Sequence, residues 1–579
     1  MIHAAALAAL VLCLAGNRWG LPSRFHPDEK ADVVASMVRE RRALPDSYVN
    51  PSLPLALSAP LVALQQALGA ALPEPWSDPL LAMRTLCAVA TALAVLALGL
   101  AAAGAMPGTG APAALLFAFA PGVVNLGHFA TPEAFLLAAT ALFLLVAIRH
   151  LEGRAPAWAL GVALGLATST KYTAAALAVP ALAAVCLRRR ERTDSGDRLA
   201  WALAGIAALA LGAVLAGPSG RALAGSLKLA DLRLLHPESA RAFVAGLAGA
   251  ALAGGTALVG LAALSLWPRA SRLGDLLVRR EAVVAGLAAA AGFLLGTPGA
   301  LVEPRAFLSD LAFNAQTRHE YKGLVGEATS FWPYLELLGD ALTLPLLAAA
   351  VAGLAVALVS AARGSRAAGV VALAAVAPYL LVASSGHRAM RFTAPALPAC
   401  AWLAAIALAA VPARPLRRLL TAGVLAWAAL GSVLVVRLFY VDSRLLAERW
   451  LEANLPPGAT VDVIANHEGY VPRVPDGRTA RVVRTLSREM APAARFEEAA
   501  RAYPAEAAPW LLTSGAFYER FLDNPEQMPE RTRFFRALLD GRGGFSVVAR
   551  FRQQGWLRPP AEFLDPEIVV LRRTDSPSR

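Results

Sequence analysis

Runs of roughly twenty apolar residues recur along this chain, and arginine clusters separate many of them. "PLLAMRTLCAVATALAVLALGLAAAG" at 79–104 is typical: a predominantly apolar stretch long enough to span a bilayer. Such runs leave a soluble globular fold little polar surface to expose, and the 579-residue chain is 57% hydrophobic with only 16% charged residues. Lys and Arg outnumber Asp and Glu by 54 to 41, an excess that in a soluble protein raises the question of nucleic acid. Here the excess sits between apolar runs, as "RRRER" at 188–192, "RASRLGDLLVRR" at 269–280 and "ARPLRR" at 413–418, which is the positive-inside pattern. No nucleic-acid partner is expected. Cys13, Cys87, Cys186 and Cys400 have no short mutual spacing, so neither a disulfide framework nor a thiolate metal site is expected.

The apolar runs near 2–20, 79–104, 111–128, 132–149, 199–217, 241–267, 281–300, 333–361, 367–385, 392–412 and 418–438 each predict a membrane helix. Residues 156–187, flanked by basic segments, predict two short helices that turn back near "STKY". The reading is a polytopic α-helical membrane protein of about thirteen helices, with the ends of the chain on opposite faces. The arginine clusters then face the cytoplasm, together with the N-terminus. The outer face receives 21–78, 218–240, 301–332 and everything after about 439. From there charges mix freely with apolar residues, and strands are predicted at "ATVDVIAN", "RTARVVRT", "PWLLTSG", "FSVVARF" and "EIVVLRR", with helices at "DSRLLAERWLEAN", 492–503 and 530–540. The domain division is thus 1–438, a membrane domain that includes the outer first loop 21–78, and 439–579, a soluble, extracytoplasmic α/β domain.

Adjacent acids open the first loop: Asp28 and Glu29 in "RFHPDEKADVV". Pro27 predicts a helix start with acids in its first turn, ordinary capping chemistry on its own. On a long loop that lies along the membrane surface, however, a carboxylate can take a proton from a water-borne acceptor where a lipid head group meets it. Glu133, after Pro132 in "NLGHFATPEAF", is a second acid at a helix mouth on the same predicted face. Cations are available to a lipid phosphate: Lys171 within an apolar stretch, His387, Arg388 and Arg391 at a predicted hairpin tip, and Arg318, His319 and Lys322 in the third outer segment.

The motifs "FHPDEKADVV", "NPSLPLAL", "ATPEAFLLA", "GVALGLATSTKYTAAALAVPAL", "GHRAMRFTAPALPA" and "DSRLLAERWLEANLPPGATV", in this order, resemble the bacterial GT-C class membrane glycosyltransferases, the family of protein O-mannosyltransferases and the aminoarabinose transferase of lipid A. The resemblance implies a GT-C fold and an inverting transfer from a polyprenyl-phosphate sugar to an acceptor at the outer face of the bacterial inner membrane. The acceptor class stays open among protein, lipid A and envelope glycan, and membrane lipid is the other partner. It implies Asp28 as catalytic base with Glu29 beside it, Glu133 at a second acidic position the family usually fills with Asp, and Lys171 and Arg391 at basic positions like donor-phosphate ligands. Some relatives bridge a divalent metal with such acids; this sequence shows no clear metal spacing, and a divalent metal is possible without being assigned. A lipid-linked sugar flippase or transporter, and a non-catalytic relative of the same fold, are the alternatives.

Overall fold

The computed structural model describes all residues except 189–193, 229–234, 268–276, 319, 322–323, 326–329, 489–490, 556–557 and 575–579. It divides into two compact units: Met1–Cys13 with Lys30–His319 and Glu327–Leu430, and Leu14–Glu29 with Glu320–Gly326 and Gly431–Arg579.

The first unit is helical. Among the described residues eight helices, the last of them running on past this unit, are long and apolar enough to cross a membrane, nine if the bent pair Gly110–Ala118 and Pro121–His128 makes one span. Several of the thirteen expected spans are shorter or broken. Ile2–Leu14 has 13 residues. The 111–128 run bends by 59° where Pro121 follows an extended Ala120, since proline lacks the N–H that would continue the helix. The 333–361 run divides into Phe331–Leu342 and Leu344–Ala362 at Thr343, whose φ of +79° is strained for a β-branched residue. The 156–187 stretch is two short helices, Ala157–Thr168 and Tyr172–Leu187, and it begins and ends at one place: a Cβ on Gly153 would lie 3.8 Å from the Arg188 guanidinium.

Apolar surface gives helices in lipid little reason to associate, so close backbone packing by small residues takes over. "GVALG" at 161–165 does this against Arg280–Gly296. A Cβ at Gly161 would meet the Ala285 carbonyl oxygen at 2.1 Å, and one at Gly165 the Ala289 carbonyl oxygen at 2.1 Å. Enclosure is uneven. Met390–Ala410 is 83% buried over its apolar window and Pro132–Leu151 61%, whereas Ser195–Ala216 and Pro237–Leu264 are 17% buried. The two most enclosed spans are therefore those that carry Arg391 and Glu133 in their first turns.

The first loop is packed structure. Helices Ala31–Arg39 and Leu53–Leu68 flank Tyr48, which is wholly buried; its hydroxyl donates to Glu303 at 2.7 Å and its carbonyl accepts from the Tyr172 hydroxyl at 2.7 Å.

The second unit holds a five-stranded sheet: β1 Thr460–Ile464, β2 Thr479–Val482, β3 Trp510–Ser514, β4 Phe545–Phe551 and β5 Ile568–Arg573, in the order β2-β1-β3-β5-β4. β1 runs parallel to β2 and β3, while β5 is antiparallel to β3 and β4. The central strands bury Val461, Ile464, Leu511, Leu512 and Ile568 to Leu571 completely, as continuous apolar runs do when both faces are covered. All five strands lie where the sequence predicts them. Helix Gly515–Leu522 was not among the expected elements; Ser514 caps it by accepting from the Ala516 N–H at 3.3 Å.

Candidate active site

Glu133 follows Thr131 and Pro132 at the start of Pro132–Leu151, where an extended Thr131 lets proline begin the helix. It is 3% exposed, and its carboxylate accepts from the Lys171 ammonium. Lys171 lies in the break between the two short helices, with extended backbone (φ −158°, ψ 136°). The break is held by the Ser169 hydroxyl donating to the Phe293 carbonyl at 2.8 Å and the Thr297 hydroxyl donating to Ser169 at 3.1 Å. A buried lysine–carboxylate pair costs desolvation on both charges, so its presence in an enclosed part of a membrane unit asks for a use.

Phe392 gathers the cations around that pair. The Lys171 ammonium lies 4.9 Å from its ring centroid, the Arg391 guanidinium carbon 5.2 Å, and the His387 ring meets it edge-on at 5.1 Å. Glu133, Lys171, His387 and Arg391 are thus brought together from three segments far apart in sequence. Arg318 and Arg388 belong to the frame of the same hairpin. The Arg318 guanidinium donates to Ser384 and to the Leu381 carbonyl, and its own carbonyl accepts from the N–H of Gly386 at 3.0 Å and of His387 at 3.3 Å. Arg388 donates to the Ser330 hydroxyl at 3.0 Å, and the Tyr334 hydroxyl donates to the His387 carbonyl at 2.7 Å. These contacts shape the hairpin that presents Arg391. His319 and Lys322 lie outside the described residues.

Asp28 and Glu29 belong to the second unit. The expected helix at Pro27 starts only at Ala31, with Asp32 in its first turn and Arg39 in its last. Pro27 and Asp28 instead form a turn, because the Asp28 N–H donates to His26 Nδ1 at 3.0 Å rather than entering a helix. The two acids therefore precede the helix rather than lying in its first turn. Asp28 is exposed and Glu29 half-buried. Behind them His26 is buried, its ring 4.1 Å from that of Phe563, and the Phe25 carbonyl accepts from Arg444 Nη1 at 3.0 Å.

Sequence reasoning missed several residues here. Phe392 and His26 sit one and two positions from residues it named, but an aromatic or a histidine beside a charge carries no periodic signal. Arg84, 1% exposed inside Pro79–Ala105, was legible as a lone charge in an apolar span. The four cysteines are buried and form no disulfide. Among the described residues no three His, Cys, Asp or Glu side chains lie together as a metal centre requires.

Residues 57–216 match the family of dolichyl-phosphate-mannose-protein mannosyltransferases. The matched segment contains Glu133 and Lys171, and the resemblance to membrane glycosyltransferases that the motifs carry holds there. No curated protein matches the chain. Among solved structures, the oligosaccharyltransferase AglB of Archaeoglobus fulgidus, in complex with an inhibitory peptide and a dolichol-phosphate, is similar at 14% identity and a TM-score of 0.46, over 91% of this chain and 71% of that one. ArnT from Cupriavidus metallidurans bound to undecaprenyl phosphate is similar at 15% identity and a TM-score of 0.42, over 98% and 97% of the two chains.

Proposed function

We propose that this protein is an inverting glycosyltransferase that moves a sugar from a polyprenyl-phosphate carrier to an acceptor at the outer face of a bacterial inner membrane, its N-terminus cytoplasmic. The observation that carries the reading is the enclosed Glu133–Lys171 pair with Arg391 and His387 around Phe392, within and beside the segment matched by the mannosyltransferase family. A phosphate entering such a cluster gains charge-assisted hydrogen bonds from a lysine and an arginine in a low-dielectric setting.

In the proposed reaction Asp28 takes the proton from an acceptor hydroxyl or amine, whose oxygen or nitrogen forms a new bond to the anomeric carbon from the face opposite the phosphate. The bond between that carbon and the carrier phosphate oxygen breaks, and polyprenyl phosphate leaves with the electron pair. Lys171 and Arg391 stabilise the charge that grows on the phosphate, which is where preorganised cations lower a barrier most. Glu133 holds Lys171 in place, and Glu29 supports Asp28. The assignment of Asp28 rests on its motif and on its exposed turn.

The test is release of free polyprenyl phosphate from a panel of polyprenyl-phosphate sugars by the full-length protein in nanodiscs with candidate acceptors, followed by mass spectrometry. Release that disappears in Asp28→Asn while the variant still folds is the expected result. Undiminished release in that variant would overturn the base assignment, and absence of release with every donor and acceptor would overturn the reading.

A further inference from the structure

A cleft of about 510 Å³ lies in the first unit, lined by Arg154, Trp158, Arg188, Arg280, Glu281 and Val284 among others. None of these residues takes part in the proposed transfer. Three segments build the site. His150 Nδ1 lies 2.9 Å from the Ala155 carbonyl, which shapes the turn after Pro132–Leu151; Pro156 then opens the helix Ala157–Thr168. Arg279, 8% exposed, donates to the Val185 carbonyl at 3.2 Å and to the Arg188 carbonyl at 2.8 Å, tying the end of Ala178–Leu187 to the start of Arg280–Gly296. Two helices therefore begin at the cleft, and their N-terminal dipoles add to the three guanidinium groups. Opposing them in the lining is the Glu281 carboxylate, and Arg154 also pairs with Glu152 at 3.2 Å.

The second half of the argument is apolar. Arg280, Val284 and Leu287 follow one another at i, i+4 and i+7, so they share a helix face. Val284 is 42% exposed, Leu287 69% and Trp158 57%. A cationic rim that continues into an exposed apolar face matches a phosphate joined to acyl chains, and tryptophan is the side chain that favours that depth of a bilayer. A free inorganic anion would use only the rim.

We propose that this cleft binds an anionic phospholipid, its phosphate between Arg154, Arg188 and Arg280 and its chains along Trp158, Val284 and Leu287. The inference stands whether or not the protein transfers a sugar. Native mass spectrometry of the full-length protein, titrated with phosphatidylglycerol or phosphatidylcholine, tests it. The wild type should retain phosphatidylglycerol selectively, and Arg154→Ala/Arg280→Ala should lower its occupancy on the order of tenfold or more. Arg414→Ala/Arg418→Ala, which removes the same charge from another basic segment, should leave it unchanged. Arg154→Ala alone, at a side chain 74% exposed, gives a variant whose folding is not at stake and should show a smaller loss. Trp158→Ala should weaken lipid retention, and equimolar inorganic phosphate should not displace the lipid. Equal losses from the two double variants, unchanged retention in Arg154→Ala/Arg280→Ala, or displacement by equimolar phosphate would each overturn the proposal.

Discussion

Asp442–Arg444 in the second unit and Glu133–Lys171 in the first are both buried ion pairs, yet their surroundings differ. Arg444, 1% exposed, donates from Nε and Nη2 to Asp442, at 2.9 Å each, from Nη1 to the carbonyls of Phe25 and Gly469, and from Nη2 to that of Phe563. Asp442 accepts in addition from the Trp19 indole at 3.3 Å and the Asp565 N–H at 2.9 Å. The guanidinium also stacks over Trp19 and Phe25. Such a pair is saturated by its own chain and works as a clasp that holds the segment leading to Asp28. The Lys171 ammonium meets the Glu133 carboxylate and the face of Phe392, a sparser set that leaves a compact cation able to exchange partners. Saturation marks the structural pair; sparseness beside an aromatic wall marks the one suited to a ligand.

The comparison breaks first at Arg444. Arg444→Met leaves Asp442 buried without its partner and should cost about 3–5 kcal/mol, measured as a drop in thermal midpoint of the purified protein. The double variant Asp442→Leu/Arg444→Met, which removes both charges, should recover most of that loss. A small effect of Arg444→Met would show that the clasp is dispensable. For the other pair the double variant Glu133→Gln/Lys171→Met should keep a near-native thermal midpoint while carrier-phosphate release falls about a hundredfold or more. If stability falls and release does not, the pair is structural too.

A subtler effect concerns pH. Burial, with the field of Asp442 added, raises the Asp565 carboxyl from its ordinary 3.8 to about 6. A raised carboxyl favours the fold when protonated, so its contribution is full below about pH 4 and is lost as pH rises through about 6. Thermal midpoints of wild type and Asp565→Asn across that window should differ in slope, the variant lacking this component. The smallest effect is expected at Asp462, where the Tyr503 hydroxyl donates at 2.9 Å alongside Arg481 and the Ala508 N–H. Tyr503→Phe should cost only about 1 kcal/mol, because a carboxylate with several donors tolerates the loss of one. A cost several times larger would mean that saturation does not confer redundancy.

Much of this architecture was legible beforehand. The strand runs of the second unit placed the five strands of its larger sheet, since a buried apolar run bounded by turn residues has few other uses. The break at "STKY" was legible because polar residues interrupt an apolar stretch there. The start of the first-loop helix was not: a proline followed by two acids is a strong local signal, but the His26 ring takes the Asp28 N–H and delays the helix to Ala31. The spans broken at Pro121 and Thr343 were likewise hidden, because apolar composition measures how greasy a segment is and not whether it is straight.

Composition and periodicity alone determined that many segments of this chain are long and apolar enough to cross a membrane, where the strands of the five-stranded sheet lie, and which charges stand out as costly. Those properties follow from local hydrogen bonding and burial, which neighbours in sequence decide. Only the tertiary structure decided that Lys171 meets Glu133 beside Phe392 and that Arg444 reaches the Phe25 carbonyl, because the partner of a buried charge is set by which helices and loops pack against it.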